Sequence, residues 1–445
     1  MTAPITASPQ RLADTQAKNS AKRILGFDSW AGGSWHFERL LPAFRERGMT
    51  FTLVHVGSWG SDTGRPDQEK IGSMNVRDVS FYQGKSFDQI LDIERPDAVL
   101  LLSTQTFAHR AFLRYCERRS IPSLHLYHGL ANVQITDDDK GSHGVARVAY
   151  AAFVAARLGK LIKRTFPCYI GALLKTGATL RDWTRFFHDV ARLARGLPFP
   201  VAAADARTSK VAVYTQADIE HAVRVYGLKA ERVVAVGNPD LMRFDVTEKM
   251  LGAKNQRNAS HLATVMYIDT ALALVGLLFK SYGSFIEHLG RTAQALAAHT
   301  KKLAFKPHPA HNLAALERDL RGTGVEIVAN NDFVARLRNC CACITETTSL
   351  ALVPALLGMP LLLAAYGELK TQRFGLALTS YPRAYLLEDI ADFTAVLQQD
   401  AEEFDSKSVS DWIAANSGPL PAGEMPMRIA RIMESLIRER QAVAL

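Results

Sequence analysis

Long apolar runs are missing from this sequence. None of its stretches reaches the roughly 18 consecutive apolar residues that a membrane-spanning helix needs, so no such helix is expected. Residues 1–20 are polar and have neither an apolar centre nor a cleavage pattern, which is not typical of a secretory signal peptide. We expect residues 1–21 to form a flexible leader.

Cysteine is scarce, and its spacing matches no metal site. Three of the five cysteines crowd one apolar stretch that ends at Ile344. We therefore expect reduced core thiols in a cytosolic protein rather than a disulfide framework. The cysteines are Cys116, Cys168, Cys340, Cys341 and Cys343.

Positive charge is concentrated in one segment. The chain has 445 residues, a net charge of +9 and 48% hydrophobic residues, enough for two domains that each have a core. Residues 145–200 contain ten Lys or Arg against two acids, an excess of +8. Helical patterns with basic flanks in this segment favour contact with an anionic membrane surface. A nucleic acid is a weaker alternative because no recognition module accompanies the patch, and a solvated helical insert is the third.

Strands alternate with helices along the whole chain, which predicts an α/β protein with parallel, doubly wound sheets. We expect a first domain over 22–245 with the basic insert at 145–200. A second domain is expected over 246–410. The segment 411–445 contains an amphipathic helix, predicted over 425–440, that could pack back on the first domain.

A glycine-rich loop follows the first predicted strand, between Asp28 and His36, and opens a helix predicted over 37–47. It lacks the glycine spacing of a dinucleotide fingerprint. We therefore do not expect a cofactor there.

The second half contains the motif Lys306-Pro-His308-Pro309, which ends an apolar strand abruptly. The carboxyl ends of parallel strands are where α/β sheets bind ligands. A preceding strand ends in Asp269 and Thr270, which we expect at the same crevice. The alternative is that His308 simply occupies a turn.

A second motif, Thr347-Thr348-Ser349, follows the next predicted strand and starts a helix. Free backbone amides and hydroxyls at one helix start are typical of a phosphate site, although the same residues also serve as simple caps. Pro354 lies inside this helix, so the helix is predicted to be kinked or to begin late.

The fourth strand of the first half ends in His128-Gly129, with Asp137, Asp138 and Asp139 close behind. A histidine at a strand end with acids nearby can act as a general base. A packed histidine beside a solvated acidic loop explains the same residues equally well.

Together, these motifs resemble the GT-B glycosyltransferases of bacterial surface-polysaccharide assembly that use cytidine-activated donors. The similar groups are the CDP-glycerol glycerophosphotransferases, the polysialyltransferases and the Kdo transferases. The resemblance implies two Rossmann-like domains that face a cleft. It implies a base at His128 or Asp138 and a donor site at Lys306, His308, Pro309, Thr348 and Ser349, to which the residue pattern adds Thr347, Asp269 and Thr270.

For the mechanism we predict an inverting transfer in which the nucleotide-activated donor is a substrate and no cofactor takes part. We expect no metal either, because no Asp-x-Asp motif stands in a suitable place and the cationic and dipolar groups can stabilise the phosphate. The partners of the transferase would be a nucleotide-sugar donor, a polysaccharide or lipid-linked glycan acceptor and the inner face of the cell membrane. Thr345-Glu346-Thr347 departs from the glycerophosphotransferase pattern, which puts glycerol phosphate in doubt as the transferred group. A UDP-N-acetylhexosamine 2-epimerase-like isomerase and a non-catalytic nucleotide-sugar-binding scaffold are the alternatives.

Overall fold

The computed structural model describes residues 21–29, 33–60, 64–127, 161–194, 207–226, 228–256, 262–271, 273–274 and 278–443. Within these residues the chain forms one sheet of eight strands and one sheet of six. Helices accompany both sheets, so the predicted α/β architecture with two Rossmann-like domains is confirmed.

The strands are β1 Lys22–Asp28, β2 Met49–His55, β3 Gln68–Ile71, β4 Met74–Asp78, β5 Ala98–Leu101, β6 Ser123–Leu126, β7 Lys210–Val213, β8 Val233–Ala235, β9 Thr264–Ile268, β10 Lys302–Lys306, β11 Val325–Ile327, β12 Cys340–Thr345, β13 Leu361–Ala364 and β14 Ala384–Leu387.

The α-helices are α1 Ser34–Glu38, α2 Leu41–Glu46, α3 Phe87–Glu94, α4 Phe107–Arg118, α5 Phe166–Lys175, α6 Leu180–Ala194, α7 Gln216–Tyr226, α8 Pro239–Arg243, α9 Tyr282–Ala297, α10 Leu313–Asp319, α11 Phe333–Leu337, α12 Leu352–Leu356, α13 Leu376–Thr379, α14 Phe393–Glu403, α15 Ser406–Asn416 and α16 Met425–Val443.

The first sheet has the order β3-β4-β2-β1-β5-β6-β7-β8. Its strand pairs are parallel except for the β3–β4 pair at one edge. The strand order reverses direction between β1 and β5. In open α/β sheets the crevice at such a reversal is the usual ligand position, so the loop after β1 lies at a favoured place.

The second sheet is parallel throughout, in the order β11-β10-β9-β12-β13-β14. Its reversal lies between β9 and β12. Strand β12 is wholly buried and contains three of the five free thiols, which agrees with the expected core cysteines. The carboxyl ends of β9, β10 and β12 therefore meet at one crevice.

The structure changes one helical prediction and agrees with another. The single helix expected over 37–47 is broken into α1 and α2, and Pro42 lies in the first turn of the second of them. The helix after β12 begins late, as Pro354 predicted. A tight 3₁₀ turn covers Ser349–Ala351 first, so that Pro354 falls in the first turn of α12, where its missing N–H has no helical acceptor to lose.

The described part of the basic insert is a helical hairpin, α5 and α6, which packs on α4 of the first domain. Phe166 and Tyr169 contact Phe107 with ring centroids 5.3 and 5.0 Å apart. These two aromatic side chains are therefore part of the first-domain packing. In the part of the chain that the structure describes, no helix combines the length and hydropathy needed to cross a membrane.

The last helix returns to the first domain. Met425, Ile429 and Met433 of α16 are fully buried in the same core cluster as residues of the first sheet. The return begins at Met425 rather than at residue 411. Residues 411–416 instead complete α15, where Trp412 packs in the core of the second domain.

Candidate functional site

A cleft of about 730 Å³ lies between the two domains. Lys306, His308, Pro309, Thr348 and Ser349 line it from the second domain, as does Asp269. These residues converge because they stand at or directly after the ends of β9, β10 and β12, and the carboxyl ends of these three strands are adjacent.

Lys306 is the last residue of β10 and is almost entirely buried. Its ammonium donates a hydrogen bond to the carbonyl of Pro307 at 2.7 Å. Burial, and next the positive charge of Arg243, lower the pKa of Lys306 to about 8, although Asp269 opposes the shift. A bound anion would relieve this crowding of positive charge.

His308 projects from the turn after β10 and is exposed. Its Nδ1 accepts the backbone N–H of Ala310 at 3.2 Å, so the neutral ring carries its proton on Nε2. Desolvation, with the charges of His311, Lys306 and Arg243, lowers the pKa of His308 against the pull of Asp269. A neutral imidazole can still donate from Nε2 to a ligand oxygen.

The three hydroxyl residues after β12 divide into two roles. Thr348 and Ser349 are half-buried at the cleft, and the Thr348 hydroxyl also accepts the N–H of Leu350 as a cap. Thr347 does not line the cleft. Its N–H and hydroxyl both donate to Gln372 Oε1, at 2.8 and 2.9 Å, so both donors are engaged away from the cleft.

The carboxylate of Asp269 is bonded to the turn that follows β10. Its Oδ2 accepts the N–H of His308 at 3.0 Å and Nε2 of His311 at 2.8 Å, and its Oδ1 accepts the N–H of Ala271. Since the carboxylate is buried and engaged by three donors, it has little capacity left for a substrate hydroxyl.

Thr270 is likewise turned inwards. Its N–H and hydroxyl both donate to Oε2 of Glu346, and Oε1 of Glu346 accepts the hydroxyl of Tyr267 at 2.9 Å. Burial, and next the charge of Asp269, raise the pKa of Glu346 above its usual range. Asp269 and Thr270 thus join the β10 turn to the β12 turn, and we call this pair the clasp.

The opposite wall of the cleft contains residues that the sequence did not single out. Trp35 and Arg39 come from the α1 region after β1, and Arg243 comes from the end of α8 at the domain junction. The guanidinium carbons of Arg39 and Arg243 lie 5.3 and 5.7 Å from the Trp35 ring centroid. The sequence signal for this wall is the glycine-rich loop itself, because it follows the strand at which the order of the first sheet reverses.

The candidate bases, His128 and Asp138, lie outside the described residues, as do Asp137, Asp139 and the leader 1–20. Tyr127, directly before His128, is buried at the end of β6. In the described part of the chain, no group of three or more His, Cys, Asp or Glu side chains is arranged to hold a metal ion.

Two Rossmann-like domains that face a common cleft, with the last helix packed on the first domain, form the GT-B fold of glycosyltransferases. The wall teichoic acid polymerase TagF has this architecture and aligns over 96% of this chain and 92% of its own, with 13% identity and a TM-score of 0.52. The calicheamicin glycosyltransferase CalG4 aligns over 94% of this chain and 98% of its own, with 14% identity and a TM-score of 0.51.

The remaining comparisons are either too weak to support an argument or found no match. A UDP-GlcNAc 2-epimerase from Neisseria meningitidis aligns over 93% of this chain and all of its own, with 12% identity, but its TM-score of 0.45 supports no argument. No protein-family model and no curated protein matches the sequence. Structural similarity at such low sequence identity establishes only the fold, so the activity must be argued from the site.

Proposed function

We propose that the protein is a glycosyltransferase that binds a nucleotide-activated donor in the interdomain cleft. The observation that carries the proposal is that Lys306, His308 and Ser349 of the second domain share this cleft with Arg39 and Arg243 of the opposite wall. The lowered pKa of Lys306 reflects the burial and the excess of positive charge that a donor phosphate would offset.

The donor in this proposal is linked to cytidine, as CMP or CDP, and the transferred group is a sugar or a polyol phosphate. The resemblance of Lys306-Pro-His308-Pro309 and Thr348-Ser349 to cytidine-using transferases supports this choice. A TagF variant soaked with CDPG, which aligns over 94% of this chain and 89% of its own at 13% identity and a TM-score of 0.50, has the same fold.

The proposed reaction is an inverting displacement. An acceptor hydroxyl attacks the anomeric carbon of a sugar donor, or the phosphorus atom if a polyol phosphate is transferred, while His128, or alternatively Asp138, removes its proton. The bond from the attacked atom to the oxygen of the leaving nucleotide phosphate breaks, and its electron pair stays on that oxygen. Lys306, Nε2–H of His308 and the hydroxyls of Thr348 and Ser349 would stabilise the leaving phosphate. These groups could stabilise that charge without a metal ion.

Titration with CMP, CDP and UDP by calorimetry tests the proposal. We expect CMP or CDP to bind and His308→Ala to weaken the binding, while Asp332→Asn, an exposed change in the same domain, has no effect. Failure of all three nucleotides to bind would refute the proposal. Isomerisation of a UDP-N-acetylhexosamine without an acceptor would instead favour the epimerase alternative, and donor binding without turnover would favour the scaffold.

We further propose that the enzyme works peripherally on the cytoplasmic face of the membrane, through the outer face of α5 and α6. Both acids of α6 point inwards, where Asp182 pairs with Arg114 at 3.0 Å and Asp189 pairs with Arg110. Leu180 and Phe187 are 83% and 63% exposed on the outside, next to the exposed Arg181 and Arg185. This separation of charge favours an anionic surface.

The apolar side chains of the basic segment divide between the first-domain packing and this outer face. Phe166 and Tyr169 are used in the first-domain packing, and Phe153 lies outside the described residues. Leu174 could still contact a membrane surface, since it is 69% exposed at the end of α5. A basic groove for an anionic polysaccharide acceptor is the competing role for this segment.

A further inference from the structure

The turn after β12 is anchored from both of the strands beside it. In the second sheet β12 lies between β9 and β13. Glu346, the first residue after β12, accepts the N–H and the hydroxyl of Thr270, which stands just after β9. The next residue, Thr347, donates to Gln372 in the loop after β13. Two consecutive residues are therefore bonded towards opposite neighbours, directly before the two residues of the turn that line the cleft.

The side-chain amide of Gln372 is buried and is bonded at both ends. Its Oε1 accepts the N–H and the hydroxyl of Thr347 at 2.8 and 2.9 Å, and its Nε2 donates to the carbonyl of Ala364, the last residue of β13, at 3.1 Å. A backbone N–H can only donate, so it fixes which end of the amide faces Thr347. Gln372 therefore joins the end of β13 to the turn after β12.

The amide matters to the turn because Thr347 is also buried. Without the Gln372 side chain, the N–H of Thr347 loses its acceptor, while the hydroxyl keeps a second acceptor in the carbonyl of Arg373 at 3.3 Å. A buried donor that loses its partner costs more than the hydrogen bond itself contributes, so the turn would shift until the N–H found water or another acceptor. Thr348 and Ser349 would move with it, because they follow Thr347 directly.

We infer that Gln372 is a positioning residue of the donor site, which holds the hydroxyls of Thr348 and Ser349 at the phosphate through its bonds to Thr347. Gln372 does not line the cleft, so it acts without touching the donor. The inference rests on the proposed function for the identity of the ligand. It extends that function by making the geometry of the phosphate contacts depend on the loop after β13 as well as on the clasp.

The test measures the affinity of the full chain for CDP and for inorganic pyrophosphate by calorimetry. We expect Gln372→Ala to bind both ligands about tenfold more weakly than the wild type, since a buried donor loses its acceptor. Gln398→Ala, at an exposed glutamine of α14, is the matched control and should bind both ligands normally. Circular dichroism confirms that each variant is folded before its affinity is measured.

Gln372→Glu adds a dependence on pH that a purely structural role would not produce in the affinity. The ionised carboxylate still accepts from Thr347, but it has no proton for the carbonyl of Ala364, and the two oxygens repel each other. A protonated carboxyl restores the pattern of the amide, with its O–H in place of Nε2–H. Burial raises the pKa of a carboxyl group, so the CDP affinity of this variant, relative to the wild type at the same pH, should recover as the pH falls from about 8 to about 6.

Thr347→Val removes the hydroxyl and keeps the N–H. Combined with Gln372→Ala, it should weaken CDP binding by less than the product of the two single effects, because both changes break the same contact. Three results would overturn the inference: wild-type affinity for both ligands in Gln372→Ala, no recovery of Gln372→Glu in acid, or fully multiplicative effects of the two substitutions. If pyrophosphate shows the expected differences but CDP does not bind, only the proposed function is refuted, and binding of neither ligand by the wild type would refute both.

Discussion

The carboxylate of Asp269 accepts a hydrogen bond from Nε2 of His311 at 2.8 Å, and both side chains are almost fully excluded from solvent. The same carboxylate oxygen accepts the backbone N–H of His308. A residue at the end of one strand therefore sets the path of the loop that follows the neighbouring strand.

Asp269→Asn should weaken nucleotide binding about tenfold, because an amide cannot accept all three hydrogen bonds and the turn at His308 would shift. Thr270→Ser keeps the hydroxyl that Glu346 accepts and should bind normally, whereas Thr270→Val should not. Calorimetry with CDP measures the nucleotide affinity of all three variants. Normal binding by Asp269→Asn and Thr270→Val would show that the clasp does not position the site.

Nucleotide affinity should fall as the pH rises above about 8, the value to which burial lowers the pKa of Lys306. Below that pH the ammonium is charged and attracts the phosphate. Above it, the free protein must first take up a proton, so the affinity drops by up to about tenfold per pH unit. Lys306→Arg should bind with little pH dependence over the same range, and an identical slope in this variant would exclude Lys306 as the cause.

His128→Ala should lower kcat by about two to four orders of magnitude with nucleotide affinity unchanged, because a base acts on the acceptor and not on the donor. Asp138→Asn is the parallel test of the acid. If a variant retains wild-type turnover with an acceptor present, the substituted residue is not the base. A large loss of CDP affinity in His128→Ala would assign His128 to the donor site instead.

Membrane binding should depend on the outer face of α6. Vesicle sedimentation at low salt is expected to pull down the protein with anionic but not neutral lipid, and high salt should release it. Combined Arg181→Glu and Arg185→Glu changes should abolish sedimentation, and Phe187→Ala should reduce it. Leu313→Ala, at a 49% exposed leucine of the second domain, is the control and should have no effect. If sedimentation does not differ between anionic and neutral vesicles, the acceptor groove becomes the better explanation of this segment.

Ile429→Ala should lower the free energy of unfolding by about 2–5 kcal/mol, since it removes a fully buried side chain between α16 and the first sheet. Urea denaturation followed by fluorescence is the measurement. Arg431→Ala, an exposed change on the same helix, should stay within about 0.5 kcal/mol of the wild type. A similar loss in both variants would mean that the helix acts through its surface.

The sequence pattern alone was enough to predict that four residues lie close together, because each stands at or just after the end of a strand of one parallel sheet. These residues are Lys306, His308, Thr348 and Ser349. The pattern could not assign neighbouring hydroxyls to different roles. Thr347 faces Gln372, which is 25 residues further along the chain, and only the folded loop reveals that partner. The position of Trp35 in the same cleft could not be predicted either, because it depends on how the two domains pack and not on any spacing near residue 35.

The return of α16 to the first sheet has a practical consequence for dissecting the molecule. The first domain is discontinuous in the amino-acid sequence because its core includes the last helix. A fragment ending near residue 245 would therefore expose the apolar surface that Met425, Ile429 and Met433 cover. A soluble isolated domain would require either residues 425–443 supplied as a separate peptide or a circular permutation that fuses this helix to the amino-terminal side. Complementation between two such separately expressed pieces would then report directly on assembly of the fold.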